Sequence, residues 1–142
     1  MKHLWVDANV LLRFLTADPP GLAEKARGLM ARAQAGEVTL ILTPVILAEA
    51  VWTLESFYQF SRQDIVGALV PLVRAEGVMA LESETLVEAL HLYREKNVDF
   101  ADAYLAAAAR QTGEAAVASF DRDFDRLGVR RLEPPAIPPE ER

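Results

Sequence analysis

"VTLILTPVILAEAVWTL", residues 38–54, holds the transition that decides the fold. Five β-favouring apolar residues, 38–42, form a run too short for a buried helix and right for a buried strand. Thr43-Pro44 follows. Threonine is a good N-cap, and proline fits the first helical position because its missing N–H would be unbonded there anyway. A strand that turns directly into a helix is the repeating unit of an α/β protein, and the rest of the chain repeats it. Residues 3–6 read as a short buried strand and 8–15 as a helix. The breaker cluster Asp18-Pro19-Pro20-Gly21 precedes a helix over 22–35. The helix that starts at Pro44 should reach about Tyr58. Ser61, with Asp64 three residues on, caps a helix to about Ala75. Residues 78–81 form a strand, and 83–96 a helix with acids early and bases late, as the helix dipole favours. A helix over 100–112 ends at Gly113, 115–118 is a strand, and 129–132 an edge strand. Short apolar strands alternating with helices imply a mostly parallel sheet covered on both faces.

The chain has 142 residues, enough for one compact domain over 1–133. The remaining residues, 134–142, belong to the proline-rich stretch "EPPAIPPEER" and are expected to be a loose tail. There is no cysteine, which removes disulfides, thiolate metal sites and cysteine nucleophiles. The N-terminal apolar stretch contains Asp7 and Arg13 and lacks a signal-peptide pattern, and no apolar run is long enough to span a bilayer. A cytoplasmic protein with no membrane partner is expected. The net charge of −6 argues against holding nucleic acid by bulk electrostatics, although arginines gather late in the chain, at 110, 122, 126, 130 and 131.

Four acids interrupt apolar surroundings. Asp7 directly follows the first strand, where its plainest duty is to cap the next helix. Glu49 is the only charged residue between Thr43 and Leu54. It occupies either a narrow exposed stripe or an inward position with a partner, because an unpaired buried carboxylate is costly. In "NVDFADAYLAAAA", Asp99 suits an N-cap and Asp102 lies three residues on, on the same helical face. In "VASFDRDFDRLG", Asp121 follows a strand as Asp7 does. The alternation Asp121, Asp123, Asp125 is not a calcium loop, since the required glycine and terminal acid are replaced by Arg126 and Leu132. All four acids lie just after strands, or in the first turns of the helices that follow, and in a parallel sheet ligands sit at the carboxyl ends of strands. Carboxylates gathered about 4 Å apart repel by roughly 4 kcal/mol per pair at an effective dielectric near 20. Such a group holds protons or cations. An all-oxygen set without cysteine selects hard ions, magnesium or manganese. His3 and His91 are isolated and read as structural.

"VDANVLL", the lone Glu49, "VDFADAYLAAAA" and "VASFDRDF", in this order and spacing, resemble the PIN-domain ribonucleases, most closely the VapC-like toxins of toxin–antitoxin modules. The resemblance covers residues 3 to about 132. It implies a three-layer α/β/α sandwich around a mostly parallel sheet of four to five strands, and an endoribonuclease dependent on Mg2+ or Mn2+. Carried over by position, Asp7, Glu49, Asp102 and Asp121 match the catalytic and metal-binding acids, with Asp99 an auxiliary ligand. Asn9 and Ser119 match the polar residues that support them. Water activated by metal would cut RNA to leave 5′-phosphate and 3′-hydroxyl ends. Arg13, Arg110, Arg122 and Arg126 would form a rim that guides the strand. The toxin likeness further implies an antitoxin partner and a homodimer, with Trp52, Phe57, Tyr58 and Phe60 as a candidate contact surface, although core packing is the commoner fate of such residues. An RNA-processing nuclease and a non-catalytic binding module for RNA or a partner remain alternatives. A phosphatase with Asp7 as nucleophile is disfavoured, since Asn9 stands where its second acid would be and only three lysines are present.

Overall fold

A computed structural model describes residues 2–139. The chain divides into two compact units, Met1–Glu84 and Thr85–Arg142.

The first unit contains β1 (Lys2–Trp5), α1 (Ala8–Thr16), α2 (Pro20–Gln34), β2 (Val38–Leu42), α3 (Pro44–Ser56), α4 (Arg62–Val73) and β3 (Val78–Ala80). Its three strands are parallel in the order β1-β2-β3, with Trp5 opposite Ile41 and Leu42 opposite Ala80. The central strand β2 is the most buried of the three, and Leu40 and Leu42 are fully buried, as a strand covered on both faces requires. The Thr43 hydroxyl accepts from the Ile46 N–H at 3.3 Å, and Pro44 opens α3 as expected. On α3 the buried residues are Leu47, Ala50, Val51 and Leu54, a single stripe at helical spacing. The Ser61 hydroxyl accepts from the Asp64 N–H at 3.0 Å and caps α4. Helix α2 begins at Pro20, two residues before the expected start. Pro20 is itself a good first helical residue, so the proline pair forms the N-cap and first turn instead of a spacer. Gly77, at φ +86°, passes so close to the Ala33 carbonyl that a Cβ would collide with it. Its own carbonyl accepts from the Leu40 N–H at 2.8 Å.

The second unit contains most of α5 (Ser83–Lys96), then α6 (Phe100–Thr112), β4 (Ala116–Ala118), a short 3-10 helix (Arg122–Arg126) and β5 (Arg130–Leu132). β4 and β5 are parallel, with Ala118 opposite Leu132. Phe124 and Leu127, in the connection between them, are buried. Helix α6 buries Phe100, Ala103, Ala106 and Ala107, and packs against β4. Its small face permits a close approach. Tyr93 of α5 meets Phe100 edge to face at 6.2 Å. Glu88 ties the same two helices by pairing with Arg110 at 3.2 Å and accepting from the Gln111 amide at 3.1 Å.

All five expected strands are present and parallel, in a three-stranded and a two-stranded ladder, and the α/β class is as expected. Residues 133–139 carry no helix or strand and are exposed. The rest of the tail, 140–142, lies outside the described residues. No helix among the described residues is long and apolar enough to cross a membrane.

Candidate functional site

In the first unit, Asp7 sits two residues beyond the end of β1. It caps α1, its Oδ1 accepting from the Val10 N–H at 3.1 Å, while remaining exposed. The parallel register makes Thr43 its counterpart after β2, and α3 carries Glu49 six residues further on. Helices α1 and α3 pack on each other. Glu49 is exposed, which decides between the two positions open to it: it lies with Val45 and Trp52, at spacings of four and three, on the solvent face of α3.

Beside Asp7, between α1 and α2, lies a cleft of about 340 Å3. Asn9, Val10 and Arg13 line it from α1, and Leu22, Lys25, Ala26 and Leu29 from one face of α2. The Arg13 guanidinium is held by two donated bonds of 3.3 Å, to the Asp18 carbonyl and to the Tyr58 hydroxyl. Lys25 is exposed and is engaged by no hydrogen bond or ion pair among the described residues.

The second unit crowds its acids. Asp102, in the first turn of α6, is partly buried, and its carboxyl is pushed above its usual pKa of 3.8. Burial contributes most, followed by the charges of Asp121, Asp99 and Asp123. Asp99 occupies the N-cap of α6, but its side chain makes no capping bond. Asp121 caps the 3-10 helix, its Oδ1 accepting from the Asp123 N–H at 2.8 Å. The Ser119 hydroxyl accepts from the Asp121 N–H at 2.9 Å, and the Ser119 carbonyl accepts from Arg131 at 3.1 Å. Ser119 therefore fixes the backbone that presents Asp121. Asp123 is the member of this group that the sequence did not single out as a candidate. Its signal was the alternation with Asp121, already visible in the chain.

Of the four candidate rim arginines, three have internal partners. Arg13 is bound as above, Arg110 pairs with Glu88, and Arg126 donates to the Lys96 carbonyl at 2.7 Å and to Asp123 at 3.1 Å. Arg122 is exposed and unengaged among the described residues. Lys25 was missed because a lone lysine on a helix carries no motif. Its only sequence signal is that it shares a face with Leu22, Ala26 and Leu29.

The aromatic stretch does not go into the core as such residues commonly do. Trp52 is 68% exposed and Phe57 73% exposed, while Tyr58 contacts both Phe57 and Phe60 edge to face.

The donor set suits a hard divalent ion in its chemistry: oxygen atoms only, with Asp102 pressed by three neighbouring carboxylates. Among the described residues no three acids or histidines form a ready-made cage.

The profile of the PIN domain matches residues 4–130. The VapC ribonuclease of Aquifex aeolicus (strain VF5) is 28% identical over 129 residues, which span 91% of this chain and 95% of that protein. No solved structure matches significantly. With a match running from β1 to the start of β5, the chain belongs to the PIN domain family.

Proposed function

We propose that this protein is a divalent-metal-dependent endoribonuclease and the toxin of a toxin–antitoxin pair. The observation that carries the reading is the gathering of Asp99 and Asp121 about Asp102, at the ends of elements that follow or pack on a parallel strand. Family membership and the near full-length likeness to a VapC ribonuclease support the same reading.

Asp102, Asp121 and Asp99 would hold Mg2+ or Mn2+, and Asp7 and Glu49 are the further carboxylates the reaction needs. When bound, the ion supplies positive charge against the phosphodiester and lowers the pKa of water. The residues of the chain do the rest. Asp121 uses one carboxylate oxygen on the Asp123 N–H and keeps the other for the site. Ser119 holds the turn that aims it, and Asn9, one turn from Arg13 on α1, is placed to orient substrate or water. The side chain of Asp99 is spared from capping and so is available as a ligand. Water is the nucleophile: its oxygen bonds to phosphorus as the bond to the 3′-oxygen breaks, leaving 5′-phosphate and 3′-hydroxyl ends. Burial and the neighbouring carboxylates raise the pKa of Asp102, so protons compete with an ion there more strongly as pH falls.

The solvent face of α3 and the aromatic turn after it, with Trp52 and Phe57 exposed, form the surface on which we place a protein partner, a second copy or an antitoxin.

The test is cleavage of a mixed-sequence RNA by the purified protein. We expect cutting with Mn2+ or Mg2+, none in excess chelator, and none by Asp102→Asn in either metal. Full activity in chelator, or unchanged cutting by Asp102→Asn, defeats the reading.

A further inference from the structure

The cleft between α1 and α2 has two unlike ends. Asp7 lies at one, where α1 begins, and Arg13, six residues on, lies about 9 Å along the helix axis at the other. Lys25 of α2 joins Arg13 as a second cation in the lining. Between the ends the wall is apolar, from Leu22, Ala26 and Leu29. Leu22 is 47% exposed, an apolar side chain left open to solvent at the rim. A small-molecule site is typically a concavity of about 300–1,000 Å3, mostly apolar, with a few placed polar groups. At about 340 Å3 the cleft takes one small ligand unit and is too small for a partner helix.

We propose that this cleft is a subsite for one nucleotide of an RNA strand, with its phosphate against Lys25 and Arg13 and its base against Leu22, Ala26 and Leu29. The assignment rests on the ribonuclease reading above and adds to it a place where the strand is gripped next to Asp7. The two cations have different parts. Arg13 is fixed in advance by the Asp18 carbonyl and the Tyr58 hydroxyl, so it offers its remaining donors with little ordering cost. Lys25 is a mobile point charge that closes on a phosphate after it arrives. Asn9, with one donor and one acceptor group on its amide, faces the same space and reads the base edge, which gives the enzyme a sequence preference at this step. On a protein with a net charge of −6, a pair of cations in one cleft directs the strand more than the average surface field does.

The experiment measures binding and cleavage separately in the full-length protein. A fluorescein-labelled RNA octamer is titrated by anisotropy in chelator, so that no strand is cut, at several salt concentrations. Lys25→Ala should weaken binding about tenfold and lower the salt slope by about one, as loss of one phosphate contact does. Leu22→Ala should weaken it about threefold without changing the slope. Arg74→Ala, the same charge change outside the cleft, should bind as the wild type. In cleavage assays with Mn2+ the losses from Lys25→Ala and Leu22→Ala should fall mainly on KM. If both cleft variants bind as the wild type, or if Arg74→Ala loses as much as Lys25→Ala, the subsite is overturned while metal-dependent cleavage leaves the ribonuclease reading standing. If Lys25 governs binding yet no RNA is cut, the catalytic reading falls and the subsite stands. A wild type that neither binds nor cuts RNA removes both.

Discussion

The two units use aspartate at the start of a helix in opposite ways. Asp7 follows β1, stands in water, and gives one oxygen to the Val10 N–H; its first duty is to start a helix. Asp102 lies in the first turn of a helix packed on β4, is partly shielded, and is surrounded by Asp99, Asp121 and Asp123. The N-cap of that helix, Asp99, does no capping. The same residue type near a helix start is thus exposed and engaged in a cap in one unit, and crowded by like charge in the other. Position at a helix start nominates an acid; the neighbouring charges decide its chemistry.

The largest predicted effect breaks this contrast. Asp7→Asn and Asp102→Asn should each reduce RNA cleavage by at least about a thousandfold, although only one of the two acids is crowded. Asparagine caps a helix as well as aspartate, so Asp7→Asn should keep its thermal midpoint, and circular dichroism melting checks that the loss is chemical. If Asp7→Asn cuts normally, Asp7 is a cap only. Next in size, Ser119→Ala removes the hydroxyl that holds the Asp121 backbone and should slow cleavage by about 10- to 100-fold with little change in fold. Caps then sharpen the comparison through stability alone. Asp7→Ala should cost about 1 kcal/mol in urea unfolding, whereas Asp99→Ala should cost only a few tenths, because no capping bond is lost.

The smallest effect depends on pH. The folded state holds the Asp102 proton more tightly than the unfolded chain does, so between the usual 3.8 and the raised folded value the folded state binds more protons. Stability contributed by this group is therefore complete below 3.8 and falls as pH rises through the folded value. Asp102→Asn cannot ionise, so in chelator it should melt slightly higher than the wild type at pH 7, with the gain disappearing below pH 3.8. A gain independent of pH would place its cause elsewhere.

Helix starts and strand identities were legible because their signals are local. Thr43-Pro44 and Ser61 with Asp64 act through bonds spanning three residues, and Gly113 closes α6 in a left-handed conformation at φ +83°. The start of α2 was misjudged by two residues because proline both breaks and begins helices. The acids could be listed from sequence, but their surroundings could not. Glu49 is flanked by apolar residues in the chain yet exposed, since neighbours in sequence on a helix point to different faces. Likewise, of the arginines expected to form a rim, Arg110 and Arg126 are tied by residues 22 and 30 positions away. Such pairings are tertiary, and a single sequence carries no trace of them.

Calorimetric titration of Mn2+ into the metal-free protein tests the central claim most directly. The wild type should bind, with affinity falling as the pH is lowered toward the range where Asp102 takes up a proton, and Asp102→Asn should weaken binding at least about tenfold. Equal Mn2+ affinity in the wild type and Asp102→Asn, or no binding by either, would contradict it.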